Sequence, residues 1–184
     1  MYPTVKIGQQ EWTSVNYDGP GSVEGHFYAP NPNYKKFYTQ ADLAGLKLPA
    51  GWRILTIADF NKLMINFTTQ KDTDGNFAMD YDKTLALKST SEWEVRYTSD
   101  KQGTNTSGVN AYPAGYYAYP YNETPGDLAL FLTATPLPPA KVTVHATYYS
   151  FIISQLYGNA SSDDYTRCFS CFLDRGIIPT RQNR

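Results

Sequence analysis

Gly51-Trp52-Arg53-Ile54-Leu55-Thr56 runs into Asp59-Phe60-Asn61-Lys62-Leu63. Thr56 is placed to cap a helix, with Asp59 three positions on as in a capping box. Phe60, Leu63, Met64 and Phe67 then recur at helical spacing and predict one apolar face, best explained as core anchors. Ahead of the helix, Gly51 lets the backbone turn tightly beside the Trp52 ring. Arg53 is suited to a buried bidentate pair or to loop carbonyls. All these residues are assigned to the scaffold rather than to catalysis.

Toward the N-terminus, Val5-Lys6-Ile7 and Gln9-Gln10-Glu11-Trp12 flank Gly8, which predicts a β-hairpin. Residues 17–35 are rich in Gly, Pro and Asn and read as loop. Tyr38 to Ala44 predicts a short helix capped by Thr39, and Asp80 to Leu87 a second one. Residues 90–125 hold Gly, Asn, Ser, Tyr and Pro in the proportions of long ordered loops. Strands are expected at Ala129–Thr135, His145–Ser154 and Thr166–Leu173. Helices come early and strands flank them, an α+β pattern. The length of 184 residues suits a single domain, 1–184.

Composition narrows the function classes. Formal charge is -1 and no basic stripe is present, which argues against nucleic-acid binding. No apolar run approaches the roughly 20 residues of a membrane helix, so membrane insertion is not expected. The start, Met1-Tyr2-Pro3-Thr4-Val5, does not read as a signal peptide. Tyrosine reaches 16 residues, which suits strands and binding surfaces alike. Cys168 and Cys171 are three apart on an expected strand, and only His26 and His145 could complete a zinc set. Packed or incidental cysteines are the simpler account, and no metal or cofactor is expected. Asp72-Thr73-Asp74-Gly75-Asn76 lacks the distal Glu of a calcium loop and reads as a solvated turn. Neither histidine lies in a hydrolase pattern.

A second phrase, Asn105-Thr106-Ser107-Gly108-Val109-Asn110-Ala111-Tyr112-Pro113-Ala114-Gly115, supplies side chains able to satisfy the backbone of a loop without sheet partners. With residues 51–56, it resembles the family called the Fibrobacter succinogenes major paralogous domain. Weaker echoes are Ile7-Gly8-Gln9-Gln10-Glu11-Trp12, Tyr38-Thr39, Leu87-Lys88-Ser89 before Trp93, Phe131-Leu132-Thr133-Ala134-Thr135 and Thr166-Arg167-Cys168. The resemblance spans almost the whole chain and implies a C-type-lectin-like fold that displays binding loops. The same superfold includes formylglycine-generating oxidoreductases. Cys168 and Cys171 are spaced too closely for that chemistry, which leaves it as the alternative to a binding module or a purely structural domain. The calcium-dependent sugar motifs of C-type lectins do not occur.

Residues 131–173 differ from the rest in composition. Across them Lys, Gln, Glu, Met and Trp occur only as Lys141 and Gln155, against 25 occurrences in residues 1–130. Members of this fold are targets of diversity-generating retroelements, which randomise adenines and turn Asn codons into ones that cannot encode those five types. The alternative is ordinary strand composition. Under diversification the resemblance implies an exposed face on the late strands and their loops. Its candidate contact residues are Leu137, Val144, Thr147, Tyr149, Ser150, Ile152, Ser154, Tyr157, Asn159, Asp163, Asp164 and Tyr165. Alternation puts Ser150, Ile152 and Ser154 on one side and Phe151 and Ile153 on the other. The expected partner is a protein or glycan on a cell surface. The setting would be a phage tail or a bacterial surface, and oligomeric display would offset weak single-site affinity.

Overall fold

The computed structural model describes residues 2–20, 32–34, 36–71, 75, 79–96, 98, 100–118, 121–123, 125–137, 148–154, 157–161 and 173–177. The expected hairpin forms from β1 (Thr4–Ile7) and β2 (Gln10–Thr13), paired from Thr4↔Thr13 to Ile7↔Gln10. Its two-residue turn requires Gly8, whose φ of 59° favours glycine. The short helix after Tyr38 is a 3-10 turn, Gln40–Gly45, with Thr39 and Asp42 closing a capping box.

Then come β3 (Arg53–Ile54), α1 (Ile57–Met64), β4 (Met79–Asp80) and the single-turn α2 (Tyr81–Thr84). The strands β5 (Tyr116–Ala118) and β6 (Tyr121–Glu123) form a hairpin inside the stretch expected to be loop. The late strands are β7 (Leu128–Pro136), β8 (Tyr148–Ser154), β9 (Tyr157–Ser161) and β10 (Leu173–Ile177). They make two antiparallel sheets, ordered β1-β2-β10-β3 and β4-β9-β8-β7. β10 inserts between β2 and β3, so the end of the chain closes the sheet begun at its start. Of the strand expected at Thr166–Leu173, only Leu173 is among the described residues.

The α1 face buries Phe60, Leu63 and Met64 as its spacing predicts, and Phe67 packs partly buried against the same cluster. Phe60 meets Trp12 edge-on, ring centroids 5.3 Å apart at 71°. Such a pair contributes about 0.5–1.5 kcal/mol beyond its buried area. Ala129 and Phe131 of β7 join this cluster with Ile153 of β8. Leu130 and Leu132 face the other way, into a second cluster with Tyr17, Tyr38 and Ile54. β7 is therefore buried on both faces, which is why Leu128–Leu132 is a continuous apolar run rather than an alternating one. Trp52 packs half-buried against the second cluster.

One carboxylate ties these parts together. Asp59, its side chain 3% exposed, receives both Arg53 guanidinium nitrogens, Nη1 to Oδ2 at 2.5 Å and Nη2 to Oδ1 at 2.9 Å. Its Oδ2 also accepts from the Thr56 backbone N–H at 2.9 Å and the Thr56 hydroxyl at 2.6 Å. Gln10 of β2 donates to Oδ1 at 3.4 Å. In return Thr56 Oγ accepts from the Asp59 N–H at 3.2 Å, completing the capping box. Thr135 of β7 accepts from Ile57 N–H at 2.8 Å, so the first helical amide is also satisfied. Burial alone would push the Asp59 carboxyl up. The bonds from Arg53 and Thr56 outweigh it and hold the carboxyl below its usual range.

Because the folded pKa lies below the unfolded value of about 3.9, this stabilisation is complete above that pH and is lost as pH falls through the folded value. Asp59→Asn should lower stability at pH 7 by about 2–4 kcal/mol, less than a fully buried pair would imply because Arg53 is partly solvated. Denaturant titrations should show the gap between the two proteins closing in acid. A gap unchanged well below pH 3 would show that the carboxylate charge is not what stabilises this junction.

Candidate functional site

The late strands bring several candidate contact residues together. β8 pairs with β7 through Leu128↔Ser154, Leu130↔Ile152 and Leu132↔Ser150. On its other side β8 pairs with β9 through Ile152↔Asn159 and Ser150↔Ser161. Residues directly opposite in an antiparallel pair lie about 5 Å apart at Cβ. Ile152 and Asn159 are thus neighbours across the ladder. Tyr157 pairs with Asp80 of β4, and Tyr149 lies in β8 beyond the last regular partner of Leu132. Two more residues separate Leu132 and Pro136 on β7 than separate Ser150 and Tyr148 opposite, so the ladder is interrupted there.

Two features depart from expectation. Leu137 is 4% exposed and is not an outward contact residue. A leucine directly after a strand gains about 2 kcal/mol by burial over exposure, and here it is buried. The row shared by Ser150, Ile152 and Ser154 continues on β7 as Leu132, Leu130 and Leu128, which pack in the second cluster. At β7 that row is core, so a solvent-facing patch along it can only begin further out, toward β8 and β9. Ile153 is 1% exposed in the first cluster, on the side assigned to it by alternation. Val144, Thr147, Asp163, Asp164 and Tyr165 lie outside the described residues. So do His26, His145, Cys168, Cys171, and Asp72 to Asp74 with Asn76 of the turn considered for calcium.

The phrase at 105–115 does what its side chains suggest. Asn105 Oδ1 accepts from Asn110 N–H at 2.8 Å, and the Ser107 hydroxyl donates to Ala86 C=O at 2.7 Å while accepting from Val109 N–H at 3.1 Å. Asn105 and Asn110 hold φ of 48° and 58°, which Asn tolerates better than most residues. The segment is bonded to the one before it by Ala111 N–H to Leu87 C=O and Ser89 N–H to Ala111 C=O, both 2.9 Å. Gly103 lies so close to the Lys88 main chain that a Cβ there would collide with it. These loops are fixed by their own bonds. Tyr112 packs half-buried against Tyr34, Phe37 and Ala114.

No sequence signal pointed to the state of Lys88. Its side chain is fully buried, with the ammonium 4.3 Å from the centroid of the Trp93 ring. Burial pushes its pKa down to about 8, opposed by the Asp100 charge. The attraction of a cation to the indole face offsets part of that cost. Trp93 is itself pinned by Gln102, which accepts from its N–H at 3.0 Å and donates to its C=O. The lysine and tryptophan of the resembling phrase are thus framework, as is Arg53.

Among the described residues, no group of three His, Cys, Asp or Glu is placed to hold a metal ion, and no helix is long and apolar enough to cross a membrane. Comparison with known protein families, with characterised proteins and with solved structures gave no match.

Lys88 makes stability depend on pH in a specific direction. Between about pH 8 and its ordinary value of 10.5, the unfolded chain holds a proton that the folded one has released. Stability should therefore rise over that window, by at most about 1.4 kcal/mol per pH unit. From pH 10 upward the rise is opposed by Tyr2 and Tyr34. Burial, followed by the Asp18 bond at Tyr2 and the Glu92 charge at Tyr34, pushes both up to about 12. Urea midpoints measured from pH 7 to 10 should climb in the parent and stay flat in Lys88→Met. An equal climb in the variant would assign the effect to other groups.

Proposed function

We propose that this chain is a non-enzymatic binding module of C-type-lectin-like fold, in which a fixed frame carries a diversified contact patch near its C-terminal end. The observation that carries this is the composition of residues 131–173. There the five residue types that adenine-directed randomisation of Asn codons cannot produce shrink to Lys141 and Gln155. In β7 burial on both faces is enough to account for their absence. The same depletion continues through β8, β9 and the segments around them, where Ser, Thr, Tyr, Asp and Ala take over.

The ladder geometry supports the proposal. Ser150 and Ile152 on β8 and Asn159 on β9 occupy adjoining register positions, so changes at separate points of the sequence would alter one contiguous area. Small hydroxyls and tyrosines suit such an area: the rings give contact with few rotors, and the hydroxyls adapt their hydrogen bonds. The partner would be a protein or a glycan on a cell surface. The module would be displayed on a phage tail or a bacterial surface in several copies, so that avidity compensates for weak single contacts.

The test is in the DNA. A near-copy of the 3′ end of the gene, differing from it at adenines and lying beside a reverse-transcriptase gene, is expected. Copies from related isolates should differ mainly at codons 144, 147, 149, 150, 152, 154, 157, 159 and 163–165. Substitutions spread evenly over the chain, reaching Trp12, Asp59 and Phe131 as often as Ile152, would reject the proposal.

A further inference from the structure

Two large apolar side chains stand mostly exposed among the described residues, Ile65 and Val95. Ile65 is 60% exposed at the end of α1, between two open hollows. One, about 300 Å³, is walled by Ile7, Gly8, Gln9 and Lys62. The other, about 420 Å³, is walled by Phe67, Thr68, Gln70 and Lys83. Ile65 and Asn66 line both, so the hollows form one trough around the helix end with Ile65 as its central ridge.

The helix end does not use the cations beside it. Asn66 Nδ2 donates to Lys62 C=O at 2.9 Å and Leu63 C=O at 3.0 Å, and the N–H groups of Phe67 and Thr68 both reach Met64 C=O. The last carbonyls are thus satisfied locally. The ammonium groups of Lys62 and Lys83 have no hydrogen-bond or ion-pair partner among the described residues. The described lining therefore presents two cations on either side of an exposed isoleucine, and no carboxylate.

We infer that this trough is a docking site for an acidic, extended peptide segment of a partner protein, an apolar residue covering Ile65 and carboxylates meeting Lys62 and Lys83. The apolar contact supplies attraction, and the charges orient the segment. The other occupants fit less well. A second copy docked about a two-fold axis would bring lysines against lysines. An anionic lipid surface is usually met by clusters of about 4–8 basic residues, and this one has two. A small molecule would favour one enclosed pocket over two hollows split by a ridge. Among the described residues none of the positions proposed for diversification lines the trough, so the test of this site does not depend on that proposal.

The test uses fluorescence anisotropy with a panel of labelled peptides, each carrying one leucine between short runs of glutamate, and lysine-for-glutamate counterparts as controls. At least one acidic peptide should bind saturably. Ile65→Ser and, separately, Lys62→Glu with Lys83→Glu should each weaken it at least about tenfold. Rising salt should weaken it too. All three substitutions are at exposed positions, and unchanged circular dichroism will show that the fold is kept. The inference is overturned by equal binding of the lysine peptides, by no saturable binding of any acidic peptide, or by binding indifferent to the variants. It is also overturned if only phosphatidylserine vesicles are bound, or if Ile65→Ser abolishes self-association while no peptide binds.

Discussion

The carboxylate of Asp59 is the point on which the frame depends. It is the third residue of α1, yet it accepts from Gln10 of β2, Arg53 of β3 and the cap residue Thr56 at once. A buried anion is tolerable only when its lone pairs are filled, and here donors from three places in the sequence fill them. Filling them fixes the first sheet, the turn at Gly51 and the start of the helix relative to one another. Arg53 contributes from a partly exposed position, so its charge is cheap to keep solvated while its fork still sets the geometry.

From that junction the frame reaches the candidate patch through β7. Thr135 receives the first amide of α1, and Ala134 donates to Leu55 C=O at 2.8 Å. The same strand sends Ala129 and Phe131 into one cluster and Leu130 and Leu132 into the other. A strand clamped on both faces has little freedom to slip, because a one-residue shift would exchange its two core rows. β8 pairs directly with this strand, and β9 pairs with β8. On the proposed reading, substitution becomes more tolerable with distance from this clamp, counted in strands.

The sequence revealed this frame where interactions are local. Thr56 and Asp59 announce the cap because a capping box needs residues three apart, and Phe60, Leu63 and Met64 announce the buried face because a helix repeats every 3.6 residues. Asn105, Ser107 and Asn110 were legible for the same reason: Asn105 accepts from Asn110 N–H and Ser107 from Val109 N–H within the loop itself. Pairings between distant segments were not legible. The pairing of β9 with β4 and the insertion of β10 between β2 and β3 depend on partners far along the chain; the β5–β6 hairpin is local, but its three-residue strands carry little periodicity of their own. Leu137 was misplaced because alternation from β8 says nothing about a residue beyond the end of β7. Lys88 was missed because no pattern of residue types marks a lysine folded over a tryptophan.

The proposed division between clamped frame and tolerant patch can be measured directly by proteolysis of a displayed library covering every substitution at Arg53, Asp59, Phe131, Ile152, Ile153 and Asn159. Most substitutions at Ile152 and Asn159 should stay within about 0.5–1 kcal/mol of the parent, whereas those at Asp59, Phe131 and Ile153 should cost more than about 2 kcal/mol. Should Ile152 and Asn159 prove as intolerant as Ile153, the late strands would be core throughout and could not serve as a diversified surface.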